Sequence, residues 1–159
     1  MRSKIISRSV AETISLGARL GKHLKPGDLV ALIGIFGAGK TYFTKGIARG
    51  LGIKNTKRII SPSFVLCNIY QGKKTRLYHF DVQRLKDPSE ILKLDLAEAL
   101  QDGVCVIEWA DRCLPFINMP NLIRVIFRLK GDNERLLQLR WKNNRLRNRR
   151  EKSKLIKQI

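Results

Sequence analysis

Gly34-Ile35-Phe36-Gly37-Ala38-Gly39-Lys40-Thr41 follows the pattern G-x-x-x-x-G-K-[ST]. Its residue types suit the holding of phosphate. The glycines let successive backbone N–H groups turn toward phosphate oxygens, Lys40 brings a point charge to β- and γ-phosphates, and Thr41 offers a hydroxyl to Mg²⁺. An apolar run at 29–33 leads into the segment and a helix-like run at 42–51 leaves it. Phosphate would then lie at a helix N-terminus, where partial positive charge favours anions. The expected nucleotide-contacting set is Gly34, Gly37, Ala38, Gly39, Lys40, Thr41 and Tyr42. No N-K-x-D motif for reading guanine follows, which disfavours a GTPase.

Hydrolysis or transfer needs more than a phosphate cradle: a held Mg²⁺ and a positioned nucleophile. Two acids stand where strands should end at the ligand-binding edge. Glu108 follows the wholly apolar run 104–107, the Walker-B arrangement, and Asp81 ends Leu77-Tyr78-His79-Phe80. A carboxylate at either end can bind Mg²⁺ directly or through water, or orient an attacking water. The alternative for each is a solvated acid at a strand end. His79 lies two residues before Asp81 and so projects from the same strand face, either supporting the acid or filling the core. Ser61-Pro62-Ser63 is either a nucleotide-sensing loop, with both hydroxyls near metal or phosphate, or an ordinary turn.

These residues require a frame of alternating helices and strands. Ser9-Val10-Ala11-Glu12 reads as a capping box, and Val10, Ile14, Leu16, Leu20 and Leu24 give the following helix an apolar face. Residues 25–28 turn the chain into the first core strand. Segments 64–70 and 75–81 read as strands of a hairpin through Gln71-Gly72-Lys73-Lys74. Asp87-Pro88-Ser89-Glu90 starts a helical stretch that continues in pieces to Leu100. Residues 104–107 suit a strand covered on both faces, and 122–129 with 135–141 form a terminal hairpin. The expected order is helix, strand, P-loop, helix, hairpin, helices, strand, hairpin. This is an α/β fold, a P-loop NTPase-like three-layer sandwich with a compact mixed β-sheet.

The 159 residues suit one domain, expected over 1–141, with a basic tail, helical or disordered, over 142–159. Net charge is +19, and residues 140–159 hold nine Lys/Arg against one Glu. Such a surface favours polyanions through counterion release, with RNA or a nucleoprotein as the natural partner. Cys67, Cys105 and Cys113 form no C-x-x-C pair, as in a reduced cytoplasmic protein without a zinc site. No apolar run reaches membrane-spanning length.

Taken together, the motifs resemble the TsaE (YjeE) family, small ATPases of bacterial tRNA threonylcarbamoyladenosine synthesis. The family's G-A-G-K-T, S-P-T-[FY]-T, H-x-D-x-Y-R and I-E-W elements align with residues 37–41, 61–65, 79–84 and 107–109. Thr13 and Gly17 in the first helix and Arg135 in the last hairpin also match typical family positions. The resemblance implies Mg²⁺ and ATP as cofactors, Lys40 on the phosphates, and Thr41 with Glu108 on the metal side. It also implies Asp81 as the water-positioning residue, a switch-like loop bearing Ser61 and Ser63, and support from His79 and Trp109. It places Thr13 and Arg135 among the nucleotide-binding residues. Its implied partners are TsaB and TsaD, which transfer threonylcarbamoyl to tRNA, with weak hydrolysis in their absence. This chain departs from the pattern at Ile35 and Phe36, where the family usually has aspartate and leucine, and at Val65, Gln83 and Asp95.

Two other function classes use the same loop. A small phosphotransferase would need an acceptor pocket and an arginine-bearing lid, and no separate lid segment is evident. A non-hydrolysing ATP-binding adaptor would need the loop alone.

Overall fold

With both faces covered, the apolar run Leu29–Ile33 forms the central strand of a seven-stranded mixed sheet. The computed structural model describes residues 2–73 and 75–143. Along the chain come β1 (Arg2–Ser7), α1 (Val10–Gly21), β2 (Leu29–Ile33), α2 (Lys40–Gly50), β3 (Cys67–Gln71), β4 (Arg76–Asp81), α3 (Leu96–Asp102), β5 (Gly103–Glu108), β6 (Asn121–Leu129) and β7 (Arg135–Asn143). The spatial order is β1-β7-β6-β2-β5-β4-β3. The four inner strands β6, β2, β5 and β4 run parallel, and the flanking pairs are antiparallel. Register aligns Leu32 with Glu108 and Asp81 with Glu108, so three strand ends converge on one edge. Ligands of open α/β sheets bind outside such carboxyl ends.

Alternation along the strands divides the core in two. Val30, Leu32, Val104 and Val106 meet Leu16, Leu20, Phe43 and Ile47 from α1 and α2. Leu29, Ala31, Cys105 and Ile107 meet Leu96, Ala99 and Leu100 of α3 on the opposite face. The result is the expected three-layer α/β sandwich.

Several elements differ from the sequence expectation. β1 precedes the first helix and pairs antiparallel with β7 from the other end of the chain, a partnership no local pattern encodes. Ser9 does cap α1 by accepting from the Glu12 amide at 3.0 Å, but the Glu12 carboxylate takes the Arg8 N–H at 2.7 Å instead of closing the box on Ser9. Val10 is exposed, and the buried face of α1 consists of Thr13, Leu16, Gly17, Leu20 and Gly21. Residues 64–66 form a turn, not strand. The stretch after Asp87 is a 3-10 segment, Pro88–Lys93, followed by α3. Backbone of residues 142 and 143 completes β7, and the rest of the expected basic tail lies outside the described residues.

Glycines set the approach of α1 to α2. A Cβ on Gly46 would stand 2.1 Å from the Ile14 carbonyl oxygen, and one on Gly17 would stand 2.3 Å from that of Phe43. Backbone cannot yield as a flexible side chain can. Gly46→Ala should therefore destabilise the fold by about 1–3 kcal/mol, through overpacking, and lower the melting midpoint by roughly 2–4 °C per kcal/mol. A thermal melt identical to that of the parent protein would contradict this close packing.

Burial pushes the Cys105 thiol up to about 12, and those of Cys67 and Cys113 up to about 11. Their sulfurs are poor nucleophiles near neutral pH. No helix among the described residues is long and apolar enough to cross a membrane.

Candidate nucleotide site

Between β2 and α2 the loop bends through Gly37 (φ 74°) and Gly39 (φ 100°), conformations that favour glycine. Gly39 thereby caps α2, and Lys40 and Thr41 open its first turn. A cavity of about 360 Å³ lies over this turn. Gly37, Gly39, Lys40, Thr41, Tyr42, Ser61, Asp81, Glu108 and Trp109 all line it. Gly34 and Ala38 belong to the loop but not to the cavity wall.

The Lys40 ammonium donates to the Gly34 carbonyl at 2.7 Å and to the Ile35 carbonyl at 2.8 Å. It also sits 3.9 Å from the centre of the Trp109 ring, an attraction between cation and ring face. Trp109 reaches this position in the left-handed conformation, φ 60°, which is costly for a bulky residue. Burial lowers the Lys40 pKa from its usual 10.5, opposed by the charges of Glu108, Asp81 and Asp111.

Glu108 is buried where β5 meets α2. Thr41 donates to its Oε2 at 2.9 Å, and the Thr44 hydroxyl lies 3.3 Å from its Oε1 and 3.1 Å from the Lys40 carbonyl, which competes for the same proton. His79 Nε2 lies 2.9 Å from the same Oε1. A carboxylate accepts only, so this contact places a proton on Nε2, and the buried Nδ1 has no hydrogen-bond partner among the described residues. His79 thus holds Glu108 from below the cavity. Asp81 is fixed at both oxygens: Oδ1 accepts the Gln83 N–H at 2.9 Å, and Oδ2 accepts the Ser61 hydroxyl. The loop bearing Ser61 is tied to the end of β4 a second time, since the Arg84 guanidinium lies 4.2 Å from the centre of the Phe64 ring. Ser63 does not line the cavity.

Thr13 and Arg135 stand behind Gly39. A Cβ there would be 3.1 Å from Arg135 Nε and 3.6 Å from the Thr13 methyl. The Thr13 hydroxyl is committed to the Ser9 carbonyl at 3.1 Å and the Ser7 hydroxyl at 2.8 Å. Arg135 donates to the Asn133 carbonyl at 3.1 Å, and its buried Nε has no hydrogen-bond partner among the described residues, a cation held against the phosphate-type loop.

The donor chemistry fits the group the loop implies. Mg²⁺ takes hard oxygen donors and commonly needs only one or two from protein, with phosphates and water completing its shell. The Thr41 hydroxyl and Glu108 carboxylate are such a pair. Two supporting residues escape the sequence reading. Thr44 lies one turn beyond Lys40, a spacing that signals a shared helix face. Arg112 clamps the chain after Asp81, donating to Val82 at 3.1 Å, to Gln83, and to Leu85 at 2.6 Å; nothing in its sequence context marks that role.

Sheet, loop and converging strand ends define a small P-loop NTPase-like α/β protein. Residues 7–138 match the model of the family described as "Threonylcarbamoyl adenosine biosynthesis protein TsaE". The chain belongs to the TsaE family. It is 38% identical over 135 residues to a protein of Rickettsia prowazekii named tRNA threonylcarbamoyladenosine biosynthesis protein TsaE, covering 85% of this chain and 92% of that one. A Bacillus subtilis protein of the same name is 40% identical over 134 residues, covering 84% and 82%. Among solved structures, the crystal structure of YdiB from Bacillus subtilis superposes with a TM-score of 0.78 at 31% identity, covering 99% of this chain and 95% of that one.

Proposed function

We propose that this chain is a cytoplasmic, Mg²⁺-dependent ATPase of tRNA N6-threonylcarbamoyladenosine biosynthesis, acting as a partner-dependent switch on a TsaB–TsaD complex. The observation that carries the reading is the 2.9 Å tie from Thr41 to Glu108. It joins the helix that follows the phosphate-type loop to the strand end where a metal-side acid belongs. Membership of the TsaE family and the names of the relatives supply the pathway.

In this reading the loop amides and Lys40 bind the triphosphate, with Arg135 adding positive charge behind Gly39. Thr41 and Glu108 hold Mg²⁺, which would neutralise charge developing on the phosphates. Asp81 orients the attacking water. Its attachment to Ser61 couples that task to the loop above it, so a movement of the loop also moves the carboxylate. Phe36 and Phe64, each 82% exposed, stand with Ile35, Ile60 and Val65 on the loops bordering the mouth. An apolar rim of this kind suits a docking partner, and a partner pressing on it would set the position of Asp81.

The deciding experiment is ATP turnover with and without purified TsaB–TsaD and tRNA. Stimulation by the partners supports the switch. Phosphate transfer to an acceptor without stimulation would instead establish a phosphotransferase, and tight ATP binding with no turnover under any condition would establish an adaptor. Within the site, Asp81→Ala should leave ATP affinity unchanged while slowing hydrolysis by about 10²-fold, as for loss of a positioned general base. Ser61→Ala should slow it less and also weaken the partners' stimulation. Normal turnover by Asp81→Ala would remove that residue from the mechanism.

A further inference from the structure

A second cavity, of about 530 Å³, opens between the segment after α2 and the sheet-edge strand β3. α2 separates it from the nucleotide site by its whole length, about 16 Å at 1.5 Å per residue. Lys54, Arg58 and Lys73 line it with Asn55, Tyr70 and Gln71. Among the described residues no acidic side chain lines it, and residues 29–80 contain nine Lys/Arg and no Asp or Glu.

We propose that this cleft binds single-stranded RNA, with backbone phosphates on Lys54, Arg58 and Lys73 and a base against Tyr70. Nonspecific recognition of single strands combines a positive groove with aromatic rings on which bases stack, and both are present. The Tyr70 ring packs on the core beneath α2, and its hydroxyl accepts from Asn68 Nδ2 at 3.1 Å. The ring is therefore held before any ligand arrives, which reduces the entropy lost on stacking. Lys73 is positioned too: Gly52 adopts φ 80°, and a Cβ there would lie 3.3 Å from Lys73 Cγ, so the lysine stem lies across the glycine. The amides of Asn55 and Gln71 can both donate and accept, as base edges require. An acidic protein segment would use the three cations but have no need of ring and amides together. β3 ends the sheet, so no further strand covers this side among the described residues. The inference stands apart from the reading of the nucleotide site, and ATP binding measured on the same variants separates the two.

The test is fluorescence anisotropy of a short labelled oligoribonucleotide with the full-length chain over a salt series. Neutralising three phosphates contributes about 2 to the slope of log K against log[salt], at about 0.7 per single-strand phosphate. Lys54→Ala/Arg58→Ala/Lys73→Ala should flatten the slope by that amount. Lys86→Ala/Lys93→Ala/Lys130→Ala removes the same charge from exposed sites outside the cleft and should leave the slope nearly unchanged. Tyr70→Leu, which keeps apolar bulk, should lower affinity roughly ten-fold at constant slope. Equal losses from the two triple variants would overturn the proposal in favour of general charge attraction. So would a poly-glutamate peptide that binds wild type as tightly as the RNA and depends on the same three cations. Lys54, Arg58 and Lys73 are exposed, so the triple variant decides the matter even where Tyr70→Leu melts early.

Discussion

Lys40→Met should weaken ATP binding by about one to two orders of magnitude without losing the fold. The substitution keeps an unbranched stem against Trp109 and removes the charge that faces the cavity. Hydrogen bonds involving charged groups contribute about 1.5–3 kcal/mol each, so affinity should fall roughly ten- to hundred-fold, read by titration with a fluorescent ATP analogue. Hydrolysis should fall further, by about 10²- to 10³-fold, because charge on the phosphates grows toward the transition state. The melting midpoint should stay level or rise. Burial lowers the Lys40 pKa below 10.5, so the folded protein disfavours the charged amine relative to the unfolded chain. That cost is fully present below the folded pKa and fades as pH rises toward 10.5. By the same sign, ATP affinity in the parent protein should decline with rising pH sooner than an ordinary lysine would dictate. A Lys40→Met variant that binds ATP normally would remove the loop from the function; one that fails to fold would show Lys40 to be a structural strut through its bonds to Gly34 and Ile35.

The loop was legible because its requirements are local. Gly37 and Gly39 take positive φ where glycine is favoured, and Lys40 and Thr41 must follow where the helix begins. The acids were legible for a related reason: an uninterrupted apolar run such as 104–107 marks a buried strand, and the first charge after it marks the strand's end. The misses share the opposite property. β1 contains Lys4, Ile5 and Ile6 in no telling order, and its structure depends on β7. Residues 64–66 have strand-like letters, yet the Pro62 carbonyl accepts from the amides of both Val65 at 3.1 Å and Leu66 at 2.8 Å, closing a turn. Leu66 completes it at φ 63°. Thr44 and Arg112 act only after α2 meets β5 and the 110–112 turn meets the chain after Asp81. The contact of α1 with α2 through Gly17, Gly21, Gly46 and Gly50 has no apolar pattern to mark it, because backbone meets backbone there.

That same dependence on assembly explains why Asp81 and Glu108, though both at strand ends, carry different burdens. Asp81 is tied to a loop whose outer residues, Phe64 and Val65, are exposed. Glu108 is tied inward, to α2 through two threonines and to β4 through His79. A change at Asp81 should therefore register in rate and partner response. At Glu108 it should register in stability as well.

Glu108→Ala should separate those consequences. Removing the carboxylate leaves the His79 Nε2–H and the Thr41 hydroxyl without their acceptor, while the Thr44 hydroxyl keeps the Lys40 carbonyl. Each buried donor left without a partner costs about 1–3 kcal/mol, and a chain of this length loses roughly 2–4 °C of melting midpoint per kcal/mol. With two donors left, a fall of at least about 4 °C is expected on that scale. Glu108→Gln keeps the shape and one acceptor oxygen, so it should melt within about 3 °C of the parent protein, equivalent to roughly one ordinary hydrogen bond. It also lacks the negative charge that a metal-side ligand needs. Its ATP affinity without Mg²⁺ should match that of the parent, while the gain in turnover on adding MgCl₂ should shrink by about 10²-fold, the scale of losing one transition-state contact. Thermal melts and a magnesium titration of hydrolysis on the two variants read both effects. If Glu108→Gln retains the full magnesium response, Glu108 is not the metal-side acid, and its ties to Thr41, Thr44 and His79 serve only to join α2 to the sheet. If Glu108→Ala melts with the parent, those ties contribute nothing measurable to the fold, and their geometry must be explained by the chemistry at the mouth alone.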